Sequence, residues 1–103
     1  MKASKQRKLE SAGWKVSSTQ EFLDLTDEEI EFVEMKLALS KKVKEQRTKK
    51  KLSQIELAKL IGSSQSRVAK MEAGDPSVSV DLLLKVLLSL GVPRKTVAKV
   101  LAA

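Results

Sequence analysis

Residues 53–74, SQIELAKLIGSSQSRVAKMEAG, constrain this chain more than any other stretch. They pair two segments with helical periodicity, each too short to persist alone in water. Gly62 breaks the first, and the second starts within three residues. Ser53 can cap the first segment, with Glu56 at the matching third position. Gly62 is the favoured residue just past a helix end. Ser64 can cap a second helix over about 65–73, which stops at Gly74. A chain that stops and restarts a helix over the seam GSSQ must turn sharply there. The two pieces then need a shared core with the rest of the molecule.

That core is aliphatic. Of 103 residues, 42% are hydrophobic, but only Trp14, Phe22 and Phe32 are aromatic, which favours helices packed through Leu, Val, Ile, Ala and Met. The chain lacks Cys, which excludes disulfides and thiolate metal sites, and it lacks His, the commonest general base and metal ligand. Much enzyme chemistry is thereby closed off, and neither cofactor nor metal is expected. The net charge of +7 points to an anionic partner, nucleic acid or an acidic membrane surface, or else to a solvated basic face. MKASKQRKLESAGWK is basic without an apolar core, so it does not read as a signal peptide. LLLKVLLSLGV is far short of a bilayer span. The expectation is a soluble, cytoplasmic protein without a membrane partner.

Charge is segregated along the chain. Residues 26–37 hold five acids and Lys36, whereas residues 41–51 hold seven bases and Glu45. Residues 1–25 read as an N-terminal arm, ordered at most around GWKV and EFLDL. Trp14 pins this arm to the next helix, the alternative being an anchor for a partner protein. Thr26 and Glu29 form a capping box, and neither Gly nor Pro interrupts residues 27–50, so one long helix is predicted there. Phe32, Leu39 and Val43 share one face of it, with Met35 at the flank, and Ile30, Val33 and Leu37 form a second stripe. One core needs one stripe, so the arm, a second subunit or a partner protein must cover the other. GDPSVS is a loop. A further helix starts near Val80 or Asp81 and ends at Gly91; being apolar almost all round, it should be buried on more than one side. Pro93 suits a first helical position of the closing helix. The domain reading is an arm at 1–25, a helical unit at 26–92 and a C-terminal helix at 93–103. No repeats or strands are evident.

The turn at GSSQ matches a helix-turn-helix, in which the second helix enters the DNA major groove. A hairpin used for packing alone is the alternative. Leu57, Ala58 and Ile61 can face inward from the first helix and Val68 and Met71 from the second. Outward on the second lie Gln65, Ser66, Arg67 and Lys70. Gln pairs with adenine in two places, and Arg or Lys pairs with guanine N7 and O6, so these four are the candidate base contacts. Gln54, Ser63 and Ser64 lie at helix N-termini suited to phosphate. Lys49 and Lys50, from the basic run beside the motif, are further candidate phosphate contacts.

Residues 37–92 resemble the Cro/C1-type helix-turn-helix domain of phage repressors and of the xenobiotic-response-element (XRE) regulators. The family pattern, Thr/Ser-Gln-x-x-Leu-Ala-x-x-x-Gly, then Ser-Gln-x-x-Ile/Val, then Glu-x-Gly, is matched in register by Ser53, Gln54, Leu57, Ala58, Gly62, Ser64, Gln65, Val68, Glu72 and Gly74. The resemblance implies an all-α, five-helix, lambda-repressor-like fold, here with an extended first helix and an N-terminal arm. It implies a homodimer on near-palindromic double-stranded DNA, with Gln54, Gln65, Ser66 and Lys70 at DNA-contacting positions. It also implies a structural ion pair between Arg47 and Glu72, which removes Glu72 from the DNA contacts. Lys51 departs from the pattern, standing where many members have Gly. That helix either ends differently or places Lys51 in the left-handed conformation at a cost. Asp75 departs as well, standing where relatives carry phosphate contacts. The arm resembles the N-terminal extensions of small XRE proteins encoded beside RelE/ParE-type toxins. Apolar residues over 82–90 and 97–101 exceed what one small core needs, which implies a dimer interface. The expected function is a sequence-specific transcriptional regulator, a repressor, reading the major groove with the helix at 65–73. The alternative is an antitoxin that neutralises a RelE/ParE-type toxin through its N-terminal region while autoregulating its operon.

Overall fold

In a computed structural model, residues 25–103 are described, and they fold into five helices. These are α1 (Asp27–Lys49), α2 (Gln54–Ile61), α3 (Gln65–Ala73), α4 (Val80–Ser89) and α5 (Arg94–Ala102). No strand occurs among the described residues. The arm, including Trp14, GWKV and most of EFLDL, lies outside them.

The start signals act where the sequence puts them. Thr26 and Ser53 each accept a hydrogen bond from the backbone N–H three residues on, and Glu29 and Glu56 reach back to the cap's own N–H. Ser64 and Ser79 cap α3 and α4 in the same manner, without the returning carboxylate. In α5, Pro93 is the cap itself, with extended backbone at φ −66° and ψ 150°, and the first helical residue is Arg94. The expected first helical position therefore moves by one. Pro93 has no N–H to place, and its carbonyl still accepts from the amides of Thr96 and Val97.

The first four helices end alike. A residue with positive φ follows each, and the next amide turns back to a carbonyl five residues earlier: Leu52 to Arg47, Ser63 to Ala58, Asp75 to Lys70 and Val92 to Leu87. Three of these residues are Gly, and the fourth is Lys51 at φ 58°. Of the two outcomes left open for the end of the first helix, the left-handed lysine is the one adopted.

The main core is formed by all five helices. Leu39 and Val43 of α1, Leu57 and Ala58 of α2, Val68 and Met71 of α3, Leu83, Val86 and Leu87 of α4 and Val97 of α5 are buried together, with Val78, Leu90 and Val92 from the loops. Ile61, Leu82, Leu84, Val100 and Leu101 pack at its edge. The second stripe of α1 forms a separate cluster, in which Leu25 and Val33 pack on buried Ile30 and Leu37. Phe32 and Met35, assigned to the core face by periodicity, are 50% and 37% exposed. At 1.5 Å per residue, α1 runs roughly 34 Å, and its main-core residues begin only at Leu39. Phe32 keeps the angular position of Leu39 but stands two turns nearer the start of α1, and Met35 lines a groove with Val100 and Leu101 of α5 rather than entering the core. Among the described residues, no helix is long and apolar enough to cross a membrane.

Candidate nucleic-acid interface

α3 follows α2 after Gly62, Ser63 and Ser64, and two contacts fix its seat. Val68 and Met71 are fully buried on its inner side. At its far end, Gly74 comes so close to α1 that a Cβ there would lie 2.5 Å from Leu37 Cδ2. The outer side is then free. The four candidate base contacts, Gln65, Ser66, Arg67 and Lys70, are all exposed to solvent. Ser64, Ser66, Arg67, Lys70 and Ser77 line a cleft along this side.

Behind this surface runs a chain of side-chain hydrogen bonds. Arg47, at the end of α1, donates from Nε to Glu72 Oε2 and from Nη2 to Glu72 Oε1 at 3.0 Å. Its Nη1 donates to the Leu52 carbonyl at 2.7 Å, which ties down the α1–α2 turn. The pair is largely withdrawn from solvent, the two side chains being 12% and 5% exposed. The hydrogen bond to Glu72 raises the Arg47 pKa still further above its ordinary value, against a smaller opposing effect of burial. Gln54, at the start of α2, donates from Nε2 to Glu72 Oε1 at 3.2 Å. Gln65 in turn donates from Nε2 to Gln54 Oε1 at 2.8 Å.

The remaining candidates are placed separately. Ser64 is half committed, accepting from the Arg67 amide as the α3 cap. Ser63 is partly buried in the seam, and Lys49 is exposed at the end of α1. The Lys50 ammonium lies beside Gly91, at the end of α4. Sequence reading missed the bonds of Gln54 to Gln65 and Glu72. Residues 65 and 72 fall on one face of α3, which the period of 3.6 shows, but Gln54 comes between them only through the angle at which α2 crosses.

The loop after α3 is held from two sides. Lys36 of α1 donates to the Pro76 carbonyl at 3.0 Å. Burial lowers the Lys36 pKa, with Asp75 opposing. The Ser77 hydroxyl and amide both donate to Asp75 Oδ1, at 2.6 and 2.8 Å, and hold that carboxyl below its usual range, with Lys70 and Lys36 adding to the effect. Asp75 therefore places a negative charge near Lys70, whereas Arg67 lies in the first turn of α3, at the positive end of the helix dipole.

A family model described as Helix-turn-helix matches residues 43–99, more than half of the chain. No curated protein and no solved structure matches it. The matched segment runs from the core residue Val43 to Lys99 in the closing helix and contains the turn, the outward polar row and the Arg47–Glu72 pair. The chain belongs to the Cro/C1-type helix-turn-helix family of DNA-binding transcription regulators.

Proposed function

We propose that this protein binds double-stranded DNA sequence-specifically as a dimer and represses transcription by occupying an operator. α3 enters the major groove. The observation that carries this reading is the division of α3 into a buried apolar side, Val68 and Met71, and an exposed polar side, Gln65, Ser66, Arg67 and Lys70. The first-turn residues Gln65, Ser66 and Arg67 take base edges, with Lys70 one turn on. Gln54, Ser63, Ser64, Lys49 and Lys50 take the flanking phosphates and so set register rather than sequence. The dimer reading draws support from Leu88 on α4, which stays 56% exposed.

Selection from a randomised duplex pool tests this at two salt concentrations. The expected product is a near-palindrome with half-sites about one helical turn apart, bound more weakly at the higher salt. Gln65→Ala should lose discrimination at one position per half-site by about 1–3 kcal/mol, whereas Lys49→Ala should weaken all sequences alike. Unchanged sequence preference in Gln65→Ala would refute this placement of the recognition helix.

A second reading, an antitoxin that also autoregulates, draws support from the outer half of α1, where Phe32 and Met35 are exposed among Glu28, Glu29 and Glu31. Its test is whether a RelE/ParE-type toxin encoded beside this chain co-purifies with it and loses activity.

A further inference from the structure

The loop that leaves α3 turns its hydrogen-bond donors inward. The Asp75 amide donates to the Lys70 carbonyl at 3.1 Å, and the Val78 amide donates to the Asp75 carbonyl at 3.1 Å. Pro76 has no N–H to give. The amide and the hydroxyl of Ser77 both donate to Asp75 Oδ1, at 2.8 and 2.6 Å. Every amide from 75 to 78 is therefore satisfied within the loop and the helix end it follows. Outward, the loop presents carbonyl oxygens, hydroxyl lone pairs and a carboxylate, all of them acceptors.

Its position is fixed as well. Val78 is buried in the main core, and the Lys36 ammonium of α1 holds the Pro76 carbonyl at 3.0 Å. The Asp75 carboxylate cannot swing aside without breaking both bonds from Ser77. Ser77 and Val78 form one wall of a cleft whose other wall is Ser64, Ser66, Arg67 and Lys70. A backbone phosphate entering that cleft meets cations and hydroxyls on the α3 side. On the loop side it meets no donor, and a negative charge stands directly behind Ser77. We infer that Asp75 is an affinity-limiting residue: clamped by Ser77, its carboxylate closes the loop between α3 and α4 to the DNA backbone and weakens binding to all sequences alike, while base choice stays with α3. The inference rests on the proposed reading of α3 as the recognition helix.

The test separates charge from loop structure. Asp75→Asn removes the charge and keeps an oxygen that accepts both Ser77 bonds. Asp75→Ser is a second uncharged variant whose hydroxyl favours the same kind of turn. These two, Ser77→Ala and Gln65→Ala are melted to establish that they fold. Affinity is then read for the duplex selected by the wild-type chain and for an unrelated duplex, each at two salt concentrations. Both Asp75 variants should bind both duplexes about three- to ten-fold more tightly than wild type. Their salt slope should be steeper by up to about one, and the base frequencies they select should not change. Ser77→Ala should stay within about three-fold of wild type, because that hydroxyl gives its proton to Asp75 and has none for a phosphate. Asp75 variants that gain less than about three-fold, or that gain on one duplex only, overturn the inference alone. A loss of more than about three-fold in Ser77→Ala does the same, since the loop would then grip the backbone. A sequence preference that survives Gln65→Ala overturns the recognition-helix reading and the inference with it.

Discussion

At the residue scale, the clearest tension in the fold is Lys51. Its φ of 58° carries the chain out of α1 through a turn that α2, α3 and α4 make with Gly. For an L-residue other than Gly, this conformation costs about 1–2 kcal/mol, part of which Gly gives back as entropy in the unfolded chain. Lys51→Gly should therefore stabilise the protein by about 0.5–1 kcal/mol, seen as a higher urea midpoint with an unchanged slope. A lower midpoint would mean that the Lys51 side chain contributes more than its backbone costs. This departure was legible in the sequence because the family pattern marks the position. The Arg47–Glu72 contact was legible only through that resemblance; from the sequence alone, Glu72 is a surface acid. Its bond from Gln54 was legible by neither route, since it depends on a crossing angle that no local pattern encodes.

At the scale of elements, the starts of α1 and α2 were legible because a capping hydroxyl and its carboxylate are separated by a fixed number of residues, and the caps Thr26, Ser53 and Ser64 fell where the sequence placed them, whereas the Ser79 cap of α4 lay in a stretch that reads as loop. Helix ends were legible where Gly marked them, but the reason for each Gly was not. Gly62 and Gly74 have nearly the same backbone, φ 67° and 72°. Gly62 has nothing within 4 Å of where a Cβ would stand, whereas at Gly74 it would collide with buried Leu37. Gly62→Ala should cost about 1 kcal/mol, from the backbone alone. Gly74→Ala should cost that and about 1–3 kcal/mol more, because α3 must move away from α1 or Leu37 must leave its rotamer. Chemical denaturation of the two variants side by side measures the difference. Equal losses would show that Leu37 gives way freely.

At the scale of the whole molecule, α1 is the member against which the rest is assembled, and its two ends differ in charge and in cover. Its first turn carries Asp27, Glu28 and Glu29 and its last turn Arg47 and Lys49, each matched to the helix dipole. The basic end lies beside the turn into α2, where Arg47 pairs with Glu72 of α3 and the Lys50 ammonium lies near Gly91 at the end of α4. The extent of the core along α1 was not legible, because periodicity gives the angle of a residue around a helix but not the length of its neighbours. The inner half, at Leu39 and Val43, is locked into a core shared by all five helices, whereas the outer half rests on the small cluster of Ile30 and Leu37. One continuous ladder of backbone hydrogen bonds thus crosses two regions that open at different cost. Amide hydrogen exchange should register the boundary: the amides of residues 31–34 should exchange through local opening at least about 2 kcal/mol cheaper than those of residues 43–47, roughly a thirty-fold difference in protection. Uniform protection along α1 would mean that the outer half is held as firmly as the inner. With the predicted gradient, the first two turns of α1 melt and reform many times during the life of a folded domain, while α3 stays in place.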